Sequence, residues 1–436
     1  MNRFKIYFKN AGLLVLAMLG LMACEKDFTN PGAATEDQVL STPDGVIALA
    51  VGAQTRFSVG RQSPVYATVA GAGFTTNELR LINPGNISEN EVSLGYADLP
   101  GSNGIVTNIW EQCLLTRNEA DKVIGAADII PDANARAWTV AYASIFQALS
   151  NGTMAEFFEQ IPLVTEENAA FSSRADAIKS AIGSLENARN LLTGDDGGLL
   201  DRIPSGIDIP NTVNALLARY YLIDGQYGNA ITAANAVDLG VASTFTYDDV
   251  NPNPIAFVSI LTNNVYQPID LTLGLPADLQ PDAADQRLPF YFQDLMPDAN
   301  DFRAAAFFDG NTDGVPIYLP GEMMLIKAEA YARQNQLSDA IAALNEVLTK
   351  QPSDDIFGIG AGLSEYSGAE TQEAVLDAIY ANRCMELMMS GLRLGDSKRF
   401  GRPGPNDASP ERNRNWYPYP FTERDNNPNT PPDPEI

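Results

Sequence analysis

Apolar residues recur at helical spacing along most of the chain. Between Pro43 and Phe57, Val46, Ile47, Ala50 and Val51 share one face with Gln54, and Thr42-Pro43-Asp44 supplies the start signal. Ile105–Ala127 repeats the pattern through Ile109, Cys113, Ala120, Val123 and Ile124. Asp132–Leu149 does so through Ala137, Val140, Ala141, Ile145 and Ala148, and Ala175–Leu192 follows before Gly194 and an acidic, glycine-rich turn. Short joins between such segments predict antiparallel neighbours.

An internal repeat sharpens that expectation. Ala218, Tyr221, Gly225, Tyr227 and Ala230-Ile231 recur without a gap as Ala328, Tyr331, Asn335, Leu337 and Ala340-Ile341, and Val237 and Val347 extend the register. Small alanines let two helices approach closely, and the tyrosines fill the wider end. This matches tetratricopeptide (TPR) spacing, with units near 212–238 and 321–350. The predicted fold is therefore mainly α, a TPR-like helical-hairpin scaffold with long irregular loop segments. The main one is a loop-rich insert over 241–318, where Pro, Asn and Asp break the period and aromatics such as Phe257, Tyr266 and Phe290–Phe292 accumulate. Phe400–Ile436 is also irregular, with Trp416, Tyr417 and Tyr419 to pin it.

The N-terminus follows other rules. Arg3, Lys5 and Lys9 precede an apolar run, Ala11–Ala23, which reads as a secretory signal over 1–23 and is shorter than the roughly 20 residues a spanning helix needs. Leu21-Met22-Ala23-Cys24 resembles the lipobox of bacterial lipoproteins, which implies acylation of Cys24 and attachment to the outer membrane through it. Buried methylenes contribute about 0.8 kcal/mol each, so several acyl chains anchor durably. Residues 24–42 then form a lipidated, polar, flexible tether, and Glu25-Lys26-Asp27 is similar to the acidic signal that directs some lipoproteins to the cell surface.

Composition narrows the chemistry. The formal charge is −27, and the signal segment holds three of the 28 basic residues and none of the 55 acids, so the remainder is more negative still. Such a field repels phosphate backbones, which argues against nucleic-acid binding. The absence of histidine removes Ser-His-Asp and Cys-His catalysis and the usual zinc sites. Cys113 and Cys384 read as small buried hydrophobes, with a disulfide between them left open.

Several ordered motifs carry a family resemblance. They are Asn118-Glu119-Ala120, Arg136-Ala137, Ile161-Pro162-Leu163, Met323–Tyr331, Asn382-Arg383-Cys384-Met385-Glu386-Leu387 and Ser390–Gly401. Tyr417-Pro418-Tyr419-Pro420 with Glu423 and Asn427-Pro428 completes them. Together they resemble the SusD/RagB family of outer-membrane nutrient-binding lipoproteins. The sequence departs from the family pattern at Asn382 and Ser390, where glutamate is usual, and at Gly395, where an aromatic is common. The charges around them, Arg383, Glu386, Arg393 and Asp396, read as structural.

The resemblance implies a non-enzymatic lipoprotein that partners a TonB-dependent (SusC-like) outer-membrane transporter and captures oligosaccharide or peptide for import, without a cofactor. It places part of the ligand loop at Phe74–Arg80 and onward to Asn86, making Asn77, Glu78, Arg80 and Asn86 candidate ligand residues, with Tyr96 as a platform. Asn77 and Glu78 fit equally well as braces of the scaffold. Trp110 and Trp138 fall in scaffold helices, which leaves few tryptophans for sugar stacking.

Two other functions suit parts of the sequence. A scaffold lipoprotein without a small ligand would need the repeat alone, and a carboxylate glycosidase needs only paired acids, which 55 of them supply by chance. Asp309, Asn311 and Asp313 match the first half of a calcium loop, but its twelfth position is Pro320 rather than glutamate, so a turn is the expected structure. Replacing Cys24 by Ser should abolish incorporation of labelled palmitate and move the protein from the membrane to the soluble fraction; unchanged labelling would refute the lipidation reading.

Overall fold

The computed structural model describes residues 35–261, 264–296 and 301–436. The signal segment and Cys24 lie outside the described residues. Among the described residues no helix is long and apolar enough to cross a membrane. The principal helices are α1 (Glu36–Leu40), α2 (Pro43–Ser58), α3 (Pro64–Thr75), α4 (Ile87–Leu94), α5 (Gly104–Ala126), α6 (Ala133–Phe157) and α7 (Arg174–Leu191). After them come α8 (Ile209–Ile223), α9 (Tyr227–Asn235), α10 (Pro320–Arg333), α11 (Leu337–Leu348), α12 (Gln372–Glu386) and α13 (Arg393–Arg399).

Capping chemistry in the sequence fixes most helix starts. Thr42, Ser63, Asn103, Asp132, Ser173, Asp208 and Thr371 each accept a first-turn backbone N–H. From α5 to α11 each helix packs on the next, so the fold is mainly α with stacked hairpins, as the periodicity requires.

The repeat reproduces itself down to its turns. Gly225 and Asn335 both adopt left-handed backbone, φ 78° and 59°. In each turn the following N–H, of Gln226 or Gln336, reaches back to the carbonyl of Tyr221 or Tyr331, at 2.8 and 2.9 Å. Ala218, Ala230, Ala328 and Ala340 are fully buried where the paired helices meet.

The expected tether needs a correction. Residues 36–40 of it form α1, closed by a capping box between Thr35 and Gln38. Leu40 packs on the core, and Glu36 pairs with Lys122 of α5 at 2.7 Å. Local capping and one apolar contact thus fold a stretch whose polarity suggested a flexible leash.

The insert between α9 and α10 is loop-rich but contributes short antiparallel strands. Its β5 (Tyr266–Pro268) pairs with β1 (Leu79–Leu81), and its β8 (Val315–Pro316) with β4 (Thr244–Phe245). β6 (Phe292–Met296) pairs with β7 (Asp301–Ala304), whereas β2 (Gln160–Pro162) and β3 (Phe171–Ser173) pair outside it. Tyr291, Phe292, Phe302 and Phe308 of the insert are buried in the same core cluster as Val46 and Tyr419. The C-terminal segment is pinned as its aromatics suggest: Tyr417 bonds the Thr75 hydroxyl at 2.8 Å, Tyr419 accepts the Gln160 N–H at 3.2 Å, and Trp416 stacks under the Lys398 ammonium.

Buried ion pairs join these parts. Fully buried Glu386 accepts from Lys350 at 2.7 Å and from Arg287 at 3.1 Å. It does not pair with Arg383, which forks onto Asp396 at 2.8 and 3.1 Å. Glu329 accepts from Arg333 and Arg399, each at 2.8 Å. Burial alone would push Glu329 and Asp396 up, but the surrounding arginines outweigh it and hold both below the ordinary carboxylate range.

The departures from the family pattern now have local reasons. Asn382 accepts from Arg287 at 2.8 Å, and Ser390 Oγ accepts the Leu392 N–H at 3.3 Å. A Cβ on Gly395 would stand 1.8 Å from Glu156 Oε2, so the carboxylate occupies the space a side chain would need. Gly321 is crowded in the same way, 1.8 Å from Glu386 Oε1. Gly321→Ala should therefore lower the unfolding free energy by about 3 kcal/mol or more, the usual cost of breaking a buried pair. Gly228→Ala, in a helix and with nothing within 4 Å, should leave urea denaturation unchanged or slightly stabilised, and equal effects would refute the steric argument.

Candidate ligand-binding face

The face develops from the end of α3. Thr76 closes that helix, Asn77 turns left-handed at φ 57°, and the chain enters β1. In the ladder with β5, Arg80 stands opposite Gln267. Its Nη2 donates to Gln267 Oε1 at 3.0 Å, and Gln267 Nε2 donates to Asn264 Oδ1 at 3.0 Å. A polar row therefore crosses from the N-terminal helices to the insert.

Beyond β1 the chain turns through Asn83–Gly85 into α4. Asn86 occupies the N-cap position of α4, yet its side chain does not cap it. Its Oδ1 instead accepts from Arg61 Nη2 at 2.9 Å. Arg61 also donates to Glu89 Oε1 at 2.7 and 3.2 Å, and the Tyr66 hydroxyl donates to the same oxygen at 2.7 Å. Burial alone would lower Arg61, but the Glu89 carboxylate and Tyr66 hold it above its ordinary range. Tyr66 is itself pushed up, first by burial and then by Tyr266 and Glu89. The result is a half-exposed guanidinium oriented by a buried carboxylate, a suitable arrangement for directional bonding to hydroxyl or carbonyl oxygens.

The expected ligand residues separate into four groups. Asn86 and Arg80 contribute to this polar face, connected through α4 and β1. Tyr96 lies at the other end of α4, roughly 12 Å away by helical rise, with its ring 37 % exposed and its backbone left-handed at φ 45°. Arg414 Nε donates to its carbonyl at 2.7 Å. Asn77 is exposed, but its backbone is covered by Gly274.

Glu78 is a brace. Only 2 % exposed, it accepts the Met389 N–H at 2.9 Å and offers a ligand no surface. That bond holds the left-handed turn at Met389, φ 55°. Burial raises Glu78 above 4.5, opposed by Arg393 and by the Met389 N–H. Arg61, Glu89, Gln267 and Asn264 were not anticipated from the sequence. No motif marks them, and they enter the face through pairings between distant segments.

The calcium-loop resemblance resolves into a turn. Asp313 Oδ2 accepts the Gly310 N–H at 2.6 Å, and Asn253 takes the carbonyls of Asn311 and Asp313 at 2.7 and 2.9 Å. Burial, then the Asp313 carboxyl beside it, raises Asp309. Asp313 is thus turned onto its own loop, and among the described residues no group of three or more acids or cysteines is arranged to hold a metal. Cys113 and Cys384 are both free and buried; burial pushes the Cys113 thiol up and Cys384 to about 11.

Glu78→Ala should destabilise the protein by about 1–3 kcal/mol by orphaning the Met389 N–H, whereas Glu78→Gln keeps the acceptor. Because the folded-state value of Glu78 is raised, its contribution is present in full below 4.5 and lost as pH rises through the folded value. The stability difference between wild type and Glu78→Gln should therefore shrink toward acid pH in urea titrations. A constant difference would contradict the brace assignment.

Comparison with known proteins places this architecture. Residues 307–434 match the SusD family model. No curated protein matches the sequence. Among solved structures, a sugar-binding protein described as putative, from Bacteroides vulgatus, aligns with TM-score 0.69 at 16% identity over 90% of this chain and 98% of its own. A SusD-like carbohydrate-binding protein from the same species aligns with TM-score 0.65 at 16% identity, covering 83% and 84%. A SusD superfamily protein from Bacteroides thetaiotaomicron aligns with TM-score 0.64 at 18% identity, covering 90% and 100%. At these identities the structures establish a shared fold, and the sequence match extends through α10, α12, α13 and the pinned C-terminal segment. Residues 307–434 thus carry a sequence match to the SusD family, and the described residues share the fold of SusD superfamily structures.

Proposed function

We propose that this protein captures oligosaccharides at the cell surface, held to the outer membrane through acylated Cys24, and delivers them to a TonB-dependent transporter beneath it. The observation that carries this reading is the set of hydrogen-bonded polar groups around β1, Asn86 with Arg61 and Arg80 with Gln267 and Asn264, in which buried Gln267 orients Arg80. Sugar hydroxyls both donate and accept. Amide and guanidinium groups already held by such bonds suit them without a large reorganisation cost. Tyr96 adds an exposed ring at the end of α4 for stacking on a sugar face.

The protein's role in this reading is to bind its ligand, not to cleave it. Glu322, Glu329, Glu386 and Asp396 are buried and committed to arginine or lysine partners, and the glycosidase reading gains no positioned carboxylate pair from them. Two of the structurally similar proteins are described as binding sugar or carbohydrate, which supports a glycan before a peptide.

Thermal-shift screening against glycan and peptide panels should yield a glycan ligand. Arg80→Ala and Asn86→Ala should then each weaken it by about tenfold, corresponding to about 1.4 kcal/mol for a lost charged or amide hydrogen bond. Calorimetric affinities unchanged in both variants would show that the ligand binds elsewhere, and hits only among peptides would replace the substrate class.

A further inference from the structure

A second site lies inside the molecule. Where α2, α3, the end of α6, α8, the insert and the 387–392 segment meet, they border a partly open cavity of about 120 Å³. Phe57, Val69, Leu149, Phe157, Phe308 and Met389 form apolar walls. Protein interiors hold few voids larger than a water molecule. An apolar cavity of roughly 150 Å³ in another protein takes up benzene. The size and lining here suit a single aromatic ring.

One end of the cavity is polar. Glu156 is 7 % exposed; its Oε1 accepts from Arg174 at 3.1 Å, while Oε2 is buried without a hydrogen-bond partner. Tyr220, 3 % exposed, also lines the cavity, and its hydroxyl has no partner among the described residues. That hydroxyl lies over Gly152, 2.2 Å from where a Cβ would stand. Gly152 precedes Glu156 by one turn on the same face of α6. A carboxylate residue and a free hydroxyl therefore both line this end of the chamber. An unmade buried hydrogen bond costs about 1–3 kcal/mol.

Charge decides what complements them. Arg219 is committed to Glu322 at 2.6 and 2.8 Å and to the Ile317 carbonyl at 2.9 Å. Glu156 is balanced by Arg174, and the Lys398 ammonium donates to the Glu156 carbonyl. An anionic guest would meet Glu156 and Glu322, and a cationic one Arg219, all of which line the cavity. A neutral hydroxyl meets no opposing charge and bonds the Tyr220 hydroxyl, which lines the cavity. A neighbouring void of about 10 Å³ shares Glu156, Arg219, Ile223 and Leu392 and includes Arg383, whose Nη1 is also unpartnered.

We propose that this cavity is a binding site for a small uncharged molecule with an apolar ring and one hydroxyl, of phenol size. It shares no residue with the polar face of α4, β1 and β5, so it stands or falls independently of glycan capture. Titration of the purified protein with phenol and with toluene tests it by calorimetry and by ligand-observed magnetic resonance. Phenol should bind at least about tenfold more tightly than toluene. Tyr220→Phe should reduce that preference while leaving toluene unchanged. Leu149→Phe, which fills the chamber, should abolish binding of both without affecting glycan affinity. Failure of either probe to bind, equal affinities for the two, or a phenol preference untouched by Tyr220→Phe would each overturn the proposal.

Discussion

The carboxylate of Glu386 is the point on which the C-terminal half of the structure depends. It is fully buried at the end of α12, its two oxygens divided between Lys350 and Arg287. Those partners belong to irregular segments, one after α11 and one in the insert. Each carries a further acid, Asp355 at 2.8 Å from Lys350 and Asp285 at 2.7 Å from Arg287. Loops with few backbone ladders thereby gain fixed positions. Buried ion pairs contribute little net stability against well-packed apolar groups. Here they also set a boundary condition: α10 begins against this carboxylate and tolerates only glycine at 321.

The helical part of this architecture was legible in the sequence because its causes are local. Amphipathic periodicity and capping residues act within a few positions. The Ala–Tyr–turn–Ala repeat also encoded a packing geometry, and Asn335 takes the left-handed turn that Gly225 takes in the first copy. Residues 36–40 show the limit of composition: a polar stretch folded because Thr35 and Gln38 cap each other and Lys122 waits on a helix far along the chain.

The candidate face was only half legible. Asn86 and Arg80 belong to it, but the residues that orient them do not follow from spacing. The Arg80–Gln267 contact joins positions 187 apart through a ladder of three residue pairs, too short to leave a recognisable alternation. Glu78 illustrates the converse. A polar residue in a promising loop is consumed by a backbone N–H in a segment 311 residues away. The same holds at Gly395, where absence of a side chain makes room for a carboxylate of α6.

Helix α5 has a geometric consequence. Near its last turn Lys122 clasps Glu36, where the described chain begins. At its start Asn103 bonds the Ser88 carbonyl and Glu91 of α4, at 2.9 and 2.8 Å. Nineteen residues of helix separate the two positions, a rise of about 28 Å. The entry to the described chain and the candidate polar face therefore stand at opposite ends of one continuous helix.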